Sequence, residues 1–395
     1  MALTLKLPTA DGALAPYTMS GSVLARPAAG LNFNRIAYSA AHVVADPMAV
    51  CDPWLQAAVD WDATIAYRRH LWSLGLGVAE AMDTAQRGMG LDWATSLELI
   101  RRSLDAAKDV PGAFLASGCG TDHLDLDAVK SVDDVIRGYE TQMEAIEALG
   151  GKLIVMASRA LARVAKGPSD YERVYDRVLS QAKQPVVLHW LGDMFDPALA
   201  GYWGTSDLDA AMDTALGIIA AHPDKVDGIK ISLLDKDKEI AMRRRLPPGV
   251  RMYTGDDFNY AELIAGDGFG NEPTHGKSDA LLGIFDAIAP AASAALGALA
   301  QGDEAKFHAL LGPTVPLSRH IFAAPTRFYK TGVVFMAWLN GHQSHFTMVG
   351  GQQSTRSLQH LAELFRLADA ANVLEKPELA VSRMKTLLAL HGVEG

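Results

Sequence analysis

Val226-Asp227-Gly228-Ile229-Lys230-Ile231-Ser232, followed after one helix by Met252-Tyr253-Thr254-Gly255-Asp256-Asp257, decides how this chain reads. Both stretches are short apolar runs that end in polar groups. Strands buried on both faces of a parallel sheet are continuously hydrophobic, and this fits. Working outward, Val250–Thr254 follows as a strand. Val186–Trp190, Lys152–Met156, Phe114–Ser117, Leu71–Leu76 and Asn34–Ala40 precede as further candidates. Helical stretches lie between them. In Val135–Leu149 the residues Ile136, Tyr139, Met143, Ile146 and Leu149 share a face, and Ser131 with Asp134 resembles a capping box. Ser206 with Asp209 repeats the device before Ala210–Ala221. Each unit takes roughly 35 to 40 residues, as βαβ repetition requires.

Seven such strands, with an eighth expected near Gly266–Gly270, predict an α/β fold: a (β/α)8 TIM barrel with an N-terminal extension and a C-terminal helical layer. An open doubly wound sheet is the competitor. It would carry a GxGxxG or GxxxxGK[ST] turn, and the chain has neither. The expected division is 1–30 extension, 31–277 barrel and 278–395 helical region. Leu3, Leu5 and Leu7 alternate in the extension and suggest a hairpin on the barrel floor. Ala280–Ala300, Glu304–Leu311, Val333–Leu339 and Ser357–Ala371 read as helices.

The chain has 395 residues, 49% hydrophobic and 21% charged, with 36 basic against 46 acidic side chains and a net charge of −10. That composition excludes disorder, and its sign argues against sequence-independent nucleic-acid binding. Cys51 and Cys119 stand far apart, so neither a disulfide framework nor a cysteine zinc site is expected. Leu281–Ala300 is broken by Asp286 and Pro290 and is not a membrane span, and MALTLKLPTADG lacks the apolar run of a secretory signal. A cytoplasmic enzyme is expected.

A barrel enzyme works at the C-terminal ends of its strands. Lys230 stands at such an end, where desolvation favours the neutral amine and makes it a candidate nucleophile toward a carbonyl. Alternatively it is a salt-bridged strand-end lysine. His189, at the end of the preceding strand, can move protons near neutral pH or be a satisfied core residue. Asp256 and Asp257 either bind substrate hydroxyls or cap the next helix. The aromatic loop Asp193–Gly204 stacks on a substrate or packs on the C-terminal helices. Ser158 and Arg159 hold an anionic group or lie at the surface. His42, Asp46, Asp122, His123, His275, His342 and His345 are the candidate metal ligands, and His342 with His345 lies in the Gly-bracketed loop 341–351. They form no convergent set by spacing, so no metal is expected.

The pair of segments VDGIKIS and MYTGDD resembles the dihydrodipicolinate synthase / N-acetylneuraminate lyase superfamily, in which GIK ends the sixth strand and a GDD-like turn the seventh. Gly75-Leu76-Gly77-Val78-Ala79-Glu80 stands where that family has its Gly-Thr-Thr-Gly-Glu loop. Leu115-Ala116-Ser117-Gly118 resembles its third strand, and Pro185-Val186-Val187-Leu188-His189-Trp190 its fifth. The resemblance spans roughly residues 33 to 300. It implies a Schiff-base lyase or aldolase with the imine on Lys230, no organic cofactor, a small carbonyl substrate and a homodimer or homotetramer. His189 stands where the family has its relay tyrosine, and Gly77, Glu80, Trp190, Asp256 and Asp257 are the implied substrate contacts. Val78-Ala79 replaces the threonine pair that binds a keto acid's carboxylate. A sugar-derived aldehyde or ketone therefore fits as well as a keto acid. The competing readings are a metal-dependent aldolase, isomerase or hydrolase on the same barrel, and a barrel that binds a metabolite without chemistry.

Overall fold

The protein is described here by a computed structural model covering residues 3–27, 32–270 and 272–393. Two short strands, β1 (Thr4–Pro8) and β2 (Leu14–Thr18), pair as an antiparallel hairpin. Eight parallel strands follow: β3 (Ala37–Ala40), β4 (Gly77–Glu80), β5 (Leu115–Cys119), β6 (Leu153–Val155), β7 (Val186–Leu191), β8 (Val226–Ser232), β9 (Arg251–Thr254) and β10 (Asp279–Leu282). They close into a barrel in chain order, β10 pairing with β3. The expected (β/α)8 architecture is the one observed.

Alternation along the strands separates two cores. Tyr38, Ala40, Ala79, Ala116, Ile154, Val187, Tyr253 and Leu281 fill the inside of the barrel. The residues between them pack outward against the helices. The helix Val132–Ala148 begins with the expected reciprocal capping box of Ser131 and Asp134. Its buried stripe runs through Val135, Tyr139, Met143 and Ile146, while Leu149 is exposed. The helix Leu208–Ala221 is capped by Asp207, not by Ser206, because the Asp207 carboxylate accepts from Asp209 N (2.9 Å) and Ala210 N (3.2 Å).

Three expectations are corrected. Leu71–Leu76 is not a strand: it is the end of the helix Trp61–Ser73 and the turn after it. Tyr67, Arg68 and Leu71 form that helix's buried stripe, and its apolar end merges in sequence with the start of β4. The eighth strand is β10, beyond the boundary expected at 277, while Gly266–Gly270 is irregular. At four residues, β10 carries too little pattern to stand apart from the alanine-rich helix Ala289–Ala300 behind it. The N-terminal hairpin packs on the C-terminal helices, not on the barrel floor. Tyr17 Oη donates to Asp369 Oδ2 (2.7 Å), and Arg366 Nη2 donates to Pro8 O (2.7 Å).

The C-terminal layer contains Glu304–Leu311, Thr314–Ile321, Tyr329–Leu339, Leu358–Ala370 and Pro377–Leu390. All eleven residues of Tyr329–Leu339 are buried, which explains why that helix is apolar on nearly every side, Lys330 and Thr331 excepted. Among the described residues no helix is long and apolar enough to cross a membrane.

Candidate active site

Strands β7 and β8 run in register with His189 beside Lys230. Period-2 alternation turns both side chains inward and leaves Trp190 facing the helices. Lys230 keeps 7% of its surface exposed and makes no ion pair among the described residues. Burial lowers its pKa, and the charges of Asp257 and Asp83 pull the other way. Gly255, just past β9, leaves room for it. A Cβ there would stand 2.6 Å from Lys230 Cε and 2.3 Å from Ser232 Oγ.

His189 Nε2 lies 3.3 Å from Ser232 Oγ, while its Nδ1 is buried without a partner among the described residues. Burial and then the charge of Lys230 push the imidazole well below its ordinary range, so it is neutral. Asp257 is pushed up to about 7 by burial, against the hydrogen bond from Ile284 N (2.9 Å) and the charge of Lys230. This end of the barrel thus gathers an amine with a lowered pKa, a neutral imidazole and a carboxyl that titrates near neutrality. Perturbed groups of this kind concentrate at functional sites.

The C-terminal layer covers the mouth. Tyr329 Oη lies 2.8 Å from Thr84 Oγ1, and Phe195 meets Phe322 and Tyr329 edge-on at 6.2 and 6.0 Å. Next to it Lys330 is buried. Its Nζ donates to Arg327 O (3.1 Å), and burial pushes it down to about 8. Asp83 raises both Lys230 and Lys330 by its charge. A cavity of about 340 Å³ opens between the loops after β4, β5, β6 and β7. His189, Asp83, Arg87, Asp122, Arg159 and Asp196 contribute its polar lining. Lys230 is not part of that lining; its strand neighbour His189 is. Arg87 pairs with Asp122, and Arg159 with Asp196.

The structure brings Lys230, His189 and Asp257 together and places the other expected contacts elsewhere. Glu80 faces the helices: Oε1 accepts from Arg68 Nη2 (2.8 Å) and Ala81 N (2.9 Å), and Oε2 from Arg68 Nε (2.9 Å) and Ser103 Oγ (2.5 Å). Gly77 is at the opposite end of β4, packed so closely that a Cβ would stand 2.1 Å from the Phe114 ring. Trp190 packs among aromatics, its ring 6.1 Å from Trp203, which rests on Tyr175 and Tyr202. Asp256 holds the turn that precedes the helix Tyr260–Ala265, accepting from Phe258 N (2.8 Å) and Asn259 N (3.0 Å). Ser158 caps the helix Arg159–Val164.

Sequence reasoning missed Asp83 and Thr84, although they follow Glu80 by only three and four residues. A search for hydroxyls just past the expected threonine pair would have found Thr84. Tyr329 and Lys330 carry no such signal, because only the folded C-terminal layer brings them to the mouth.

The family model described as a protein of unknown function, DUF993, matches residues 5–393. The chain belongs to this family. No curated protein matches the sequence. Among solved structures, dihydrodipicolinate synthase from Cyanidioschyzon merolae with lysine bound is similar at a TM-score of 0.63 and 14% identity, over 86% of this chain and 98% of that one. A prophage protein of the dihydrodipicolinic acid synthase family from E. coli K12, in complex with pyruvate, gives 0.61 and 14%, over 91% and 99%. The synthase from Aquifex aeolicus gives 0.59 and 11%, over 91% and 98%. The likeness expected from VDGIKIS and MYTGDD is thus present as a shared fold. At these identities the fold is what is shared.

Proposed function

We propose that this DUF993 protein is a class I lyase of the aldolase or dehydratase type, acting on a small keto acid or sugar-derived carbonyl compound through an imine on Lys230. The observation that carries this reading is a buried lysine at a barrel strand end, without an ion pair among the described residues and in register with a neutral histidine. Neutral Lys230 Nζ attacks the carbonyl carbon and forms a C–N bond. The oxygen takes up protons and leaves as water. The protonated imine then accepts the electron pair of a neighbouring bond as it breaks. His189, with a free Nδ1, takes or returns the proton, and Asp257 balances the charge that appears on the nitrogen. The paired ions and hydroxyls of the cavity suit a substrate with a polar tail.

Borohydride reduction of the protein with a panel of keto acids and sugar-derived aldehydes and ketones, followed by intact mass and peptide mapping, tests this. The expected result is a stable adduct on Lys230, absent in Lys230→Ala and unaffected by chelators. An adduct that persists in Lys230→Ala, or none with any carbonyl, overturns it. A chelator-sensitive turnover would favour the metal-dependent reading, and ligand-dependent stabilisation without turnover the binding-only barrel. The reading also carries a homodimer or homotetramer. Met48, Val50, Trp54 and Leu55 form an exposed apolar run suited to such contact, and light scattering tests it.

A further inference from the structure

Away from the barrel mouth, three chain segments bring two imidazoles and a carboxylate to one point. His70 stands in the last turn of the helix Trp61–Ser73, His342 in the turn leaving Tyr329–Leu339, and Glu375 just before the helix Pro377–Leu390. One ligand-capable atom of each lies within 4.8 Å of the others. His342 Nε2 is 2.9 Å from Glu375 Oε1, and the two imidazole centroids are 4.5 Å apart. His70 Nε2 is shut away from solvent with no hydrogen-bond partner among the described residues.

The arrangement is held in place by its surroundings. Asn340 Nδ2 donates to Val373 O (3.0 Å) while Asn340 Oδ1 accepts from Glu375 N (2.9 Å), which ties the carboxylate's segment to the histidine's. Gly341, at φ +79°, makes the turn that brings His342 back; a Cβ there would also stand 2.9 Å from Leu379 Cδ2. Tyr67 packs edge-on against the His342 ring at 5.0 Å, its hydroxyl donating to Asp286 O (2.6 Å). Beside the cluster is a cavity of about 360 Å³ whose lining includes His70, Glu375 and Arg26, and which shares no residue with the lining of the mouth cavity.

We propose that His70, His342 and Glu375 form a binding site for a divalent transition ion, zinc first, with a water or small anion from this cavity as fourth ligand. Two imidazoles and one carboxylate are the donors zinc takes in open four-coordinate sites. At bond lengths of about 2.0–2.1 Å a tetrahedron sets its ligand atoms about 3.3 Å apart, within the span seen here. Such an ion gives the buried His70 nitrogen a partner, and it joins the first helix of the barrel to the C-terminal layer. The Arg26 guanidinium, which donates to Ser73 Oγ (3.3 Å), favours an anion in the open position. The site stands independently of the reading of Lys230.

The test is zinc titration of the full chain by calorimetry, with elemental analysis of protein purified without chelator and cobalt substitution followed by visible spectroscopy. The expected result is one tight zinc per chain and a cobalt spectrum of four-coordinate type. Loss of a positioning neighbour alone weakens metal sites by about 10–100-fold, so His70→Ala and His342→Ala should each weaken binding by at least about 100-fold. Glu375→Gln, which keeps the shape of the side chain, guards against a variant that fails to fold. Zinc bound as tightly by all three folded variants as by the parent, or not bound by the parent at all, overturns the proposal.

Discussion

The two ends of the barrel treat charge in opposite ways. Where the strands begin, ionisable groups are matched. Asp227 accepts from Tyr253 Oη (2.5 Å) and Arg251 Nη1 (3.2 Å), and Arg251 Nε reaches Asp279 Oδ2 (3.2 Å). On the outer wall of the barrel, under the helices, Glu80 and Arg68 are fully buried and fully paired. Where the strands end, among the described residues, the buried Lys230 makes no ion pair and the Nδ1 of His189 is buried without a hydrogen-bond partner. A buried polar group without a partner costs stability, so a fold keeps one only where something else is gained. The lower end and the wall hold the barrel together, and on the proposed reading the upper end holds reactive groups in a state that water would not allow.

This contrast can be broken at four points. The largest effect is expected from Lys230→Met, which should lower carbonyl trapping by at least about three orders of magnitude, or about 4 kcal/mol. Its urea midpoint should stay level or rise, because a desolvated amine is removed. A variant that unfolds instead would put Lys230 among the structural residues. Next comes Glu80→Gln, which leaves the Arg68 guanidinium buried with half its partner gone. Breaking one side of a buried pair costs about 3–5 kcal/mol, so urea unfolding should show a loss on that scale while the residual folded protein still forms its adduct. Trapping abolished in protein that is still folded would restore Glu80 to the substrate.

Tyr253→Phe removes the hydroxyl that Asp227 accepts. The expected cost is about 1–2 kcal/mol in stability, with trapping unchanged. The smallest effect is on a pH profile. Above pH 7 the Asp257 carboxylate is ionised and favours the ammonium form of Lys230. Asp257→Asn removes that charge and still accepts from Ile284 N. The amine then loses its proton more readily, and the midpoint of trapping against pH should move down by up to about one unit. A midpoint that moves up would mean the carboxyl acts on the amine some other way.

Most of the barrel was legible because its strands are continuously apolar and its units recur at a steady period. The errors fell where pattern and length conflict. Leu71–Leu76 looks like a strand because a helix's buried stripe runs straight into a glycine turn. The four-residue β10 was taken for the start of a helix because its apolar residues continue into an alanine-rich run. At the candidate site, the strand-end positions of Lys230 and His189 were readable from the sequence. Glu80 and Trp190 were expected at the substrate because they neighbour motif residues in sequence. On a strand, the next residue points the other way, and both face the helices.

What the amino-acid order determined by itself is the repetition of strand and helix, and with it the position of a lysine and a histidine on adjacent inward-facing strand ends. These are local matters of hydrophobic period and spacing. Only the tertiary structure decided what surrounds them. Tyr329 and Lys330 come to the mouth from a helix about a hundred residues beyond β8, and His70, His342 and Glu375 meet from three separate segments. No periodicity records such meetings, because they are set by how whole layers pack, not by how neighbours alternate.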